Sequence, residues 1–211
     1  MKNLRERVKE VQDLLFGQIT QGLVHFYCAQ SLYRGFRESQ LMKNSYFFFG
    51  VYEAAKREAV LALARIMKGH PDSITIHYLF NLLENNPRLL SSDSYESVRR
   101  TVADHRAQLE KYRPLIESVC EQRDRVLAHL DRKHVNNPSD LFAYPQGVNL
   151  TELGECLWEV LDILNFYAGY YGNEFDPSNL EGAIAGDVDI LLKWMREYGK
   201  SEEWIRPPVF S

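Results

Sequence analysis

Apolar residues recur at intervals of three and four along almost the whole chain, and that spacing constrains the fold more than any other feature. Leu4, Val8, Val11, Leu14, Leu15, Ile19 and Leu23 form one such stripe, continuing through Phe26 towards Leu32. Only a helix gathers residues so spaced onto one side, because a strand alternates its faces every second residue. No stretch with period-2 alternation interrupts the pattern, and no repeat or low-complexity block appears. The chain therefore reads as all-α: a bundle of long antiparallel helices with short accessory ones.

Punctuation divides the bundle. Gly35 and the polar region 39–45 close the first helix. Residues 46–67 read as a second long helix with an Ala- and Leu-rich middle, stopped by Gly69 and Pro71. Ser73 is placed to cap a short third helix carrying Ile76, Leu79, Phe80 and Leu83, ending before Asn85, Asn86 and Pro87. A fourth helix begins near Ser94 and carries Val98, Val102, Leu109, Leu115, Val119, Val126 and Leu130. Pro114 lies inside it, where a missing N–H and a ring clash demand a kink or a break. Pro138, Pro145 and Gly147 mark residues 134–149 as a long loop, of the kind that often carries function. A fifth helix follows over 151–171, then a Gly-rich connection with Gly172, Gly182 and Gly186, and a last helix over 187–198. The tail 200–211, with Trp204, Ile205, Val209 and Phe210, is apolar enough to pack on the body or on a partner. Residues 1–211 form one domain, of a size that buries a substantial core.

Composition narrows the function classes. With 45% hydrophobic and 26% charged residues the chain is ordinary for a globular protein, and a formal net charge of −4 argues against a generic polyanion binder. Any contact with nucleic acid must use a local basic patch. Cys28, Cys120 and Cys156 are widely separated and set among apolar helical residues, so we expect reduced core thiols and a cytoplasmic location. No segment approaches the length of uninterrupted apolar residues that spans a membrane, so no membrane partner is expected.

Chemistry concentrates in the run Arg123-Asp124-Arg125-Val126-Leu127-Ala128-His129-Leu130-Asp131. Arginine is a permanent cation able to grip a phosphate through parallel hydrogen bonds, and histidine exchanges protons near neutrality. Spacing alone proves little, since Arg65 to His70, and Arg99 or Arg100 to His105, satisfy similar patterns. Read from the residues alone, the same run is also an ordinary solvated helix face laced to Glu121 and Asp131.

The run resembles the signature of the HEPN superfamily, whose ribonuclease members carry arginine, a polar residue and then histidine at this spacing. More narrowly it is similar to the U-type abortive-infection branch of bacterial HEPN proteins, with Arg125 where a lysine is usual. Residues 62–68 (Ala-Leu-Ala-Arg-Ile-Met-Lys), followed by Ser73, Ile74 and Leu79, resemble that branch's second helix, with Lys68 where an acidic residue is more usual. The resemblance implies metal-independent RNA cleavage by attack of the ribose 2′-OH. His129 would be general acid or base, Arg123 would hold the scissile phosphate, and Asp124 would orient Arg123 or the groups of a partner chain. It implies no cofactor and no metal. It also implies a homodimer, an RNA substrate, and an antitoxin or regulatory protein as a further partner.

Helical geometry refines the assignment. Residues six apart are turned by about 120°, whereas residues four apart share a face. Arg125 is thus the better face-mate of His129 and a phosphate-binding candidate, and Arg123 reaches a common phosphate if its long side chain curls into a groove or, the more sensible arrangement, if two chains pool their Arg–His sets across a two-fold axis. Arg132 and Lys133 extend the basic character and are further RNA-binding candidates, although cations here also complement a helix C-terminus. His70 and His77 lack a third metal ligand at suitable spacing. The aromatic run Tyr46-Phe47-Phe48-Phe49 with Tyr52 fits stacking of bases, but core or dimer interface is its commoner use.

Overall fold

A computed structural model describes residues 3–38, 45–68, 73–90, 95–128, 148–170 and 178–198. Helix accounts for 92% of these, and no strand occurs among them. The elements in chain order are α1 (Leu4–Glu38), α2 (Tyr46–Met67), α3 (Ile76–Asn85), a 3-10 turn (Pro87–Leu90), α4 (Tyr95–Glu110), α5 (Arg113–Ala128), α6 (Leu150–Gly169) and α7 (Ser178–Tyr198).

The expected all-α bundle is what forms. Side chains supply the orphan donors at several helix starts: Ser45 accepts from the Phe48 amide, Thr75 from Tyr78 and Asn149 from Thr151. Thr75, rather than Ser73, caps α3, because the first apolar residue that must turn inward is Ile76, immediately after it. The fourth expected helix breaks in two. Lys111 and Tyr112 form the turn, and Pro114 sits in the first turn of α5, where the lack of an N–H costs nothing. The last helix starts earlier than expected, at Ser178, so Gly182 and Gly186 lie inside α7 rather than before it.

α1 is the spine. It packs along α2, α6 and α7, while α5 lies on α2 and α4 on α3 and α6. Tyr33 and Phe36 meet Tyr52, and Gly22 lies against Ala62, so α1 and α2 run antiparallel. Val8, Val11, Leu15, Ile19 and Leu23 are buried as the stripe demands, but Leu14 is 55% exposed. At 100° per residue it stands about 120° from the stripe's centre, and Gln12 occupies the buried angle instead.

Two close approaches set how tightly the helices pack. A Cβ on Gly154 of α6 would stand 2.3 Å from Cζ of Phe26, so only glycine lets the tip of that ring come so close to the α6 backbone. A Cβ on Gly22 would meet Leu157 at 3.1 Å and Ala62 at 3.2 Å, where α1, α2 and α6 converge. A smaller cluster of Leu32, Phe48 and Val188 joins the far ends of α1 and α2 to α7. Of the aromatic run opening α2, Phe48 is core, whereas Tyr46, Phe47 and Phe49 are exposed.

Candidate functional site

The site is built where the C-terminal half of α5 crosses the end of α2. Lys68 is the C-cap of α2, with extended backbone, and its N–H donates to the carbonyl of Ala64 at 3.0 Å. Its own carbonyl, turned outward at the helix end, accepts from Nη1 of Arg123. The guanidinium thereby caps one of the orphan acceptors of α2. The other edge of the same guanidinium is held by its chain neighbour: Nε and Nη2 both donate to Oδ1 of Asp124, at 3.0 Å and 2.6 Å. Residues one apart do not share a helix face, so this contact requires the long arginine side chain to curl beside its own helix.

The second oxygen of that carboxylate is also engaged. Lys68 Nζ donates to Asp124 Oδ2 at 3.2 Å. The result is a three-membered cluster in which one carboxylate joins two cations. The hydrogen bonds from Arg123, with help from Lys68, hold the Asp124 carboxyl below the usual carboxylate range against a smaller opposing cost of desolvation, so it is ionised at neutral pH. The members differ in access to water. The Arg123 side chain is 18% exposed, while those of Asp124 and Lys68 are 50% and 56% exposed. Cys120, one turn back on α5, is buried beneath them, and burial pushes its thiol up despite the nearby cations.

Of the residues singled out by sequence, Arg123 and Asp124 are brought together by hydrogen bonds from the guanidinium to one carboxylate oxygen. Arg125 lies on α5, described there by its backbone alone. His129, Arg132 and Lys133 lie outside the described residues, as do His70, most of the loop 134–149 and the tail 200–211. Sequence reasoning missed the part played by Lys68. The available signal was its position just past the apolar run of α2, where an exposed carbonyl needs a donor.

A second polar cluster joins α3, α4 and α6. Tyr167 is wholly buried, and its hydroxyl lies 2.7 Å from Nδ1 of half-buried His105. Burial keeps the phenol protonated and depresses the imidazole, so the hydrogen bond joins two neutral groups. Beside it, Arg106 donates to Asn81 at 2.8 Å and to Glu84 at 3.1 Å, and approaches His77 Nδ1 at 3.5 Å. His77 and His105 therefore serve to join helices. Among the described residues no group of three or more His, Cys, Asp or Glu is placed to hold a metal ion, and no helix is long and apolar enough to cross a membrane.

The all-α architecture fits a HEPN-like helical bundle. The sequence pattern of the family described as AbiU2 matches residues 1–191, and the chain belongs to that HEPN-type abortive-infection family. No curated protein and no solved structure matches it.

Proposed function

We propose that this chain is a metal-independent endoribonuclease of the antiphage or toxin type, acting as a cytoplasmic homodimer. In this reading the ribose 2′-oxygen attacks the adjacent phosphorus, its proton passing to a base, and the P–O5′ bond breaks as an acid protonates the leaving oxygen. The products are a 2′,3′-cyclic phosphate and a 5′-OH. His129 carries the proton, and Arg123 stabilises charge developing on the phosphoryl oxygens. Asp124 fixes the guanidinium plane. Arg125, Arg132 and Lys133 add positive charge along the RNA, and two chains pool their Arg–His sets in one cleft. An antitoxin or regulatory protein is the expected further partner.

The observation carrying this reading is the Arg123–Asp124 pair, pre-set on the helix that leads directly into His129. Arginine offers five N–H donors, and among the described contacts three are engaged, leaving two for a phosphate. Those three bonds are also the specific observation favouring the second reading, a non-catalytic HEPN-like dimer that binds a partner or nucleotide and uses Arg123 to fasten α5 to α2.

Incubating mixed RNAs with the parent and with His129→Ala in EDTA separates the two. A cyclic-phosphate product made by the parent and absent with the variant supports catalysis. Equal cleavage by both proteins, or cleavage by neither, favours the non-catalytic module.

A further inference from the structure

We propose that Lys68 is a phosphate-binding residue of this site, the exposed cation beside the largely covered one on Arg123. The inference rests on the reading of the site as one that takes RNA. It does not depend on cleavage.

Lys68 is placed by its backbone before its side chain does anything. Its N–H is tied to Ala64 and its carbonyl to Arg123 Nη1, so the Cα of Lys68 cannot move away from α5 without breaking the bond that positions the arginine. The side chain then returns to the same carboxylate that holds Arg123, reaching Oδ2 while the guanidinium occupies Oδ1. Two cationic head groups thus flank one carboxylate, no further apart than its two oxygens and two hydrogen bonds allow. A phosphate group presents several oxygens over a comparable span.

Charge and access divide the labour between them. Two cations against one carboxylate leave a surplus of one positive charge, and both carboxylate oxygens are turned towards those cations rather than towards an approaching anion. Arg123 is largely covered and braced on two edges, which suits a group that must not move as charge develops. Lys68 is more than half exposed, and among the described contacts it spends one of its three N–H donors, on Asp124. An ion pair between two half-exposed side chains is weak and yields readily to a better anion. A backbone phosphate entering from solvent therefore meets the Lys68 ammonium first. It gains a compact point charge there, complementing the planar, directional contact that arginine provides.

The experiment uses the full chain and a fluorescein-labelled single-stranded RNA with 2′-O-methyl groups throughout, which lacks the attacking hydroxyl. Binding is followed by anisotropy at several salt concentrations for the parent, Lys68→Gln and Lys68→Arg. Glutamine retains a donor for Asp124 without the charge, and melting curves of all three report folding. Each single-strand phosphate contact contributes about 0.7 to the slope of log K against log salt, equivalent to about fivefold in affinity at 0.1 M salt. K68Q is expected to lose about that much slope and affinity while melting with the parent, and K68R is expected to restore both. A parent-like slope in K68Q overturns the assignment, as does a loss that K68R fails to recover. If the parent neither binds this RNA nor cleaves its unmodified counterpart, the RNA reading itself falls. If the parent binds and K68Q matches it, only Lys68 is wrongly assigned.

Discussion

Replacing Gly154 by alanine tests how the bundle is packed, because two effects of known sign compete there. In a helix interior alanine is better than glycine by about 1 kcal/mol, mainly through lost backbone freedom in the unfolded chain. Opposing it, the new Cβ would stand 2.3, 2.7 and 3.0 Å from three ring carbons of Phe26. Carbon atoms sit comfortably about 3.5–4.0 Å apart, so the ring or the helix must retreat by about 1 Å or more. The ring has little room, being only 4% exposed and packed against Tyr27 and the main core. Overpacking of a tight core costs about 1–3 kcal/mol, and a clash between a Cβ, which has no rotamer of its own, and a ring hemmed in by the core belongs in the upper part of that range. The net expectation is a loss of about 1–2 kcal/mol, or about 2–8 °C in Tm for a chain of this size. Urea unfolding followed by circular dichroism measures it. Gly182→Ala, at an α7 position with nothing within 4 Å, is the control and is expected to stabilise by about 0.5–1 kcal/mol. In a Phe26→Leu background the cost of Gly154→Ala should shrink, revealing a coupling between the two sites. A Gly154→Ala protein as stable as the parent would refute the packing argument.

Tyr167→Phe removes the hydroxyl hydrogen-bonded to His105 while leaving the aromatic packing, and should cost about 1–2 kcal/mol by urea titration at pH 8; an unchanged midpoint would show that the bond contributes nothing. Burial lowers the pKa of His105 and of His77, the latter with help from Arg106, so in both cases the unfolded chain takes up the proton first. Stability from this source is full above the ordinary imidazole value of 6.5 and declines as pH falls from there to the lower folded values. Urea midpoints measured between pH 8 and pH 5 should fall less in a His77→Asn/His105→Asn double variant than in the parent, and parallel declines would sink the explanation.

The local parts of the fold were legible because their causes are local. The bounds of α2 follow from an apolar run that ends against Gly69 and Pro71, and the break before α5 follows from Pro114. Errors arose where spacing is an imperfect guide to direction. Leu14 is three residues from Val11 yet turned out of the stripe, and Gly182 and Gly186 suggested a connection although three-dimensional context keeps them helical. At the site, a role for Asp124 beside Arg123 was legible only through the family resemblance of the run that holds them. Its link to Lys68 was not, since no periodicity relates positions 56 residues apart. The cause is the packing of α5 on the end of α2, which becomes visible only in three dimensions.

The attachment of α5 has a consequence for how the site would be lost. Its cations come from two helices that meet at the end of α2, whereas most of the buried core joins α1, α2 and α6. Proteins open in parts, at free energies that range from near zero up to that of complete unfolding. An excursion that lifts α5 while the remaining helices stay paired would release the carbonyl of Lys68, separate Arg123 and Asp124 from Lys68, and disperse the local positive field. The ceiling on how long the assembled charge cluster persists is therefore set by the lifetime of one helix–helix contact, and the protein could be globally native yet electrostatically blank at this surface.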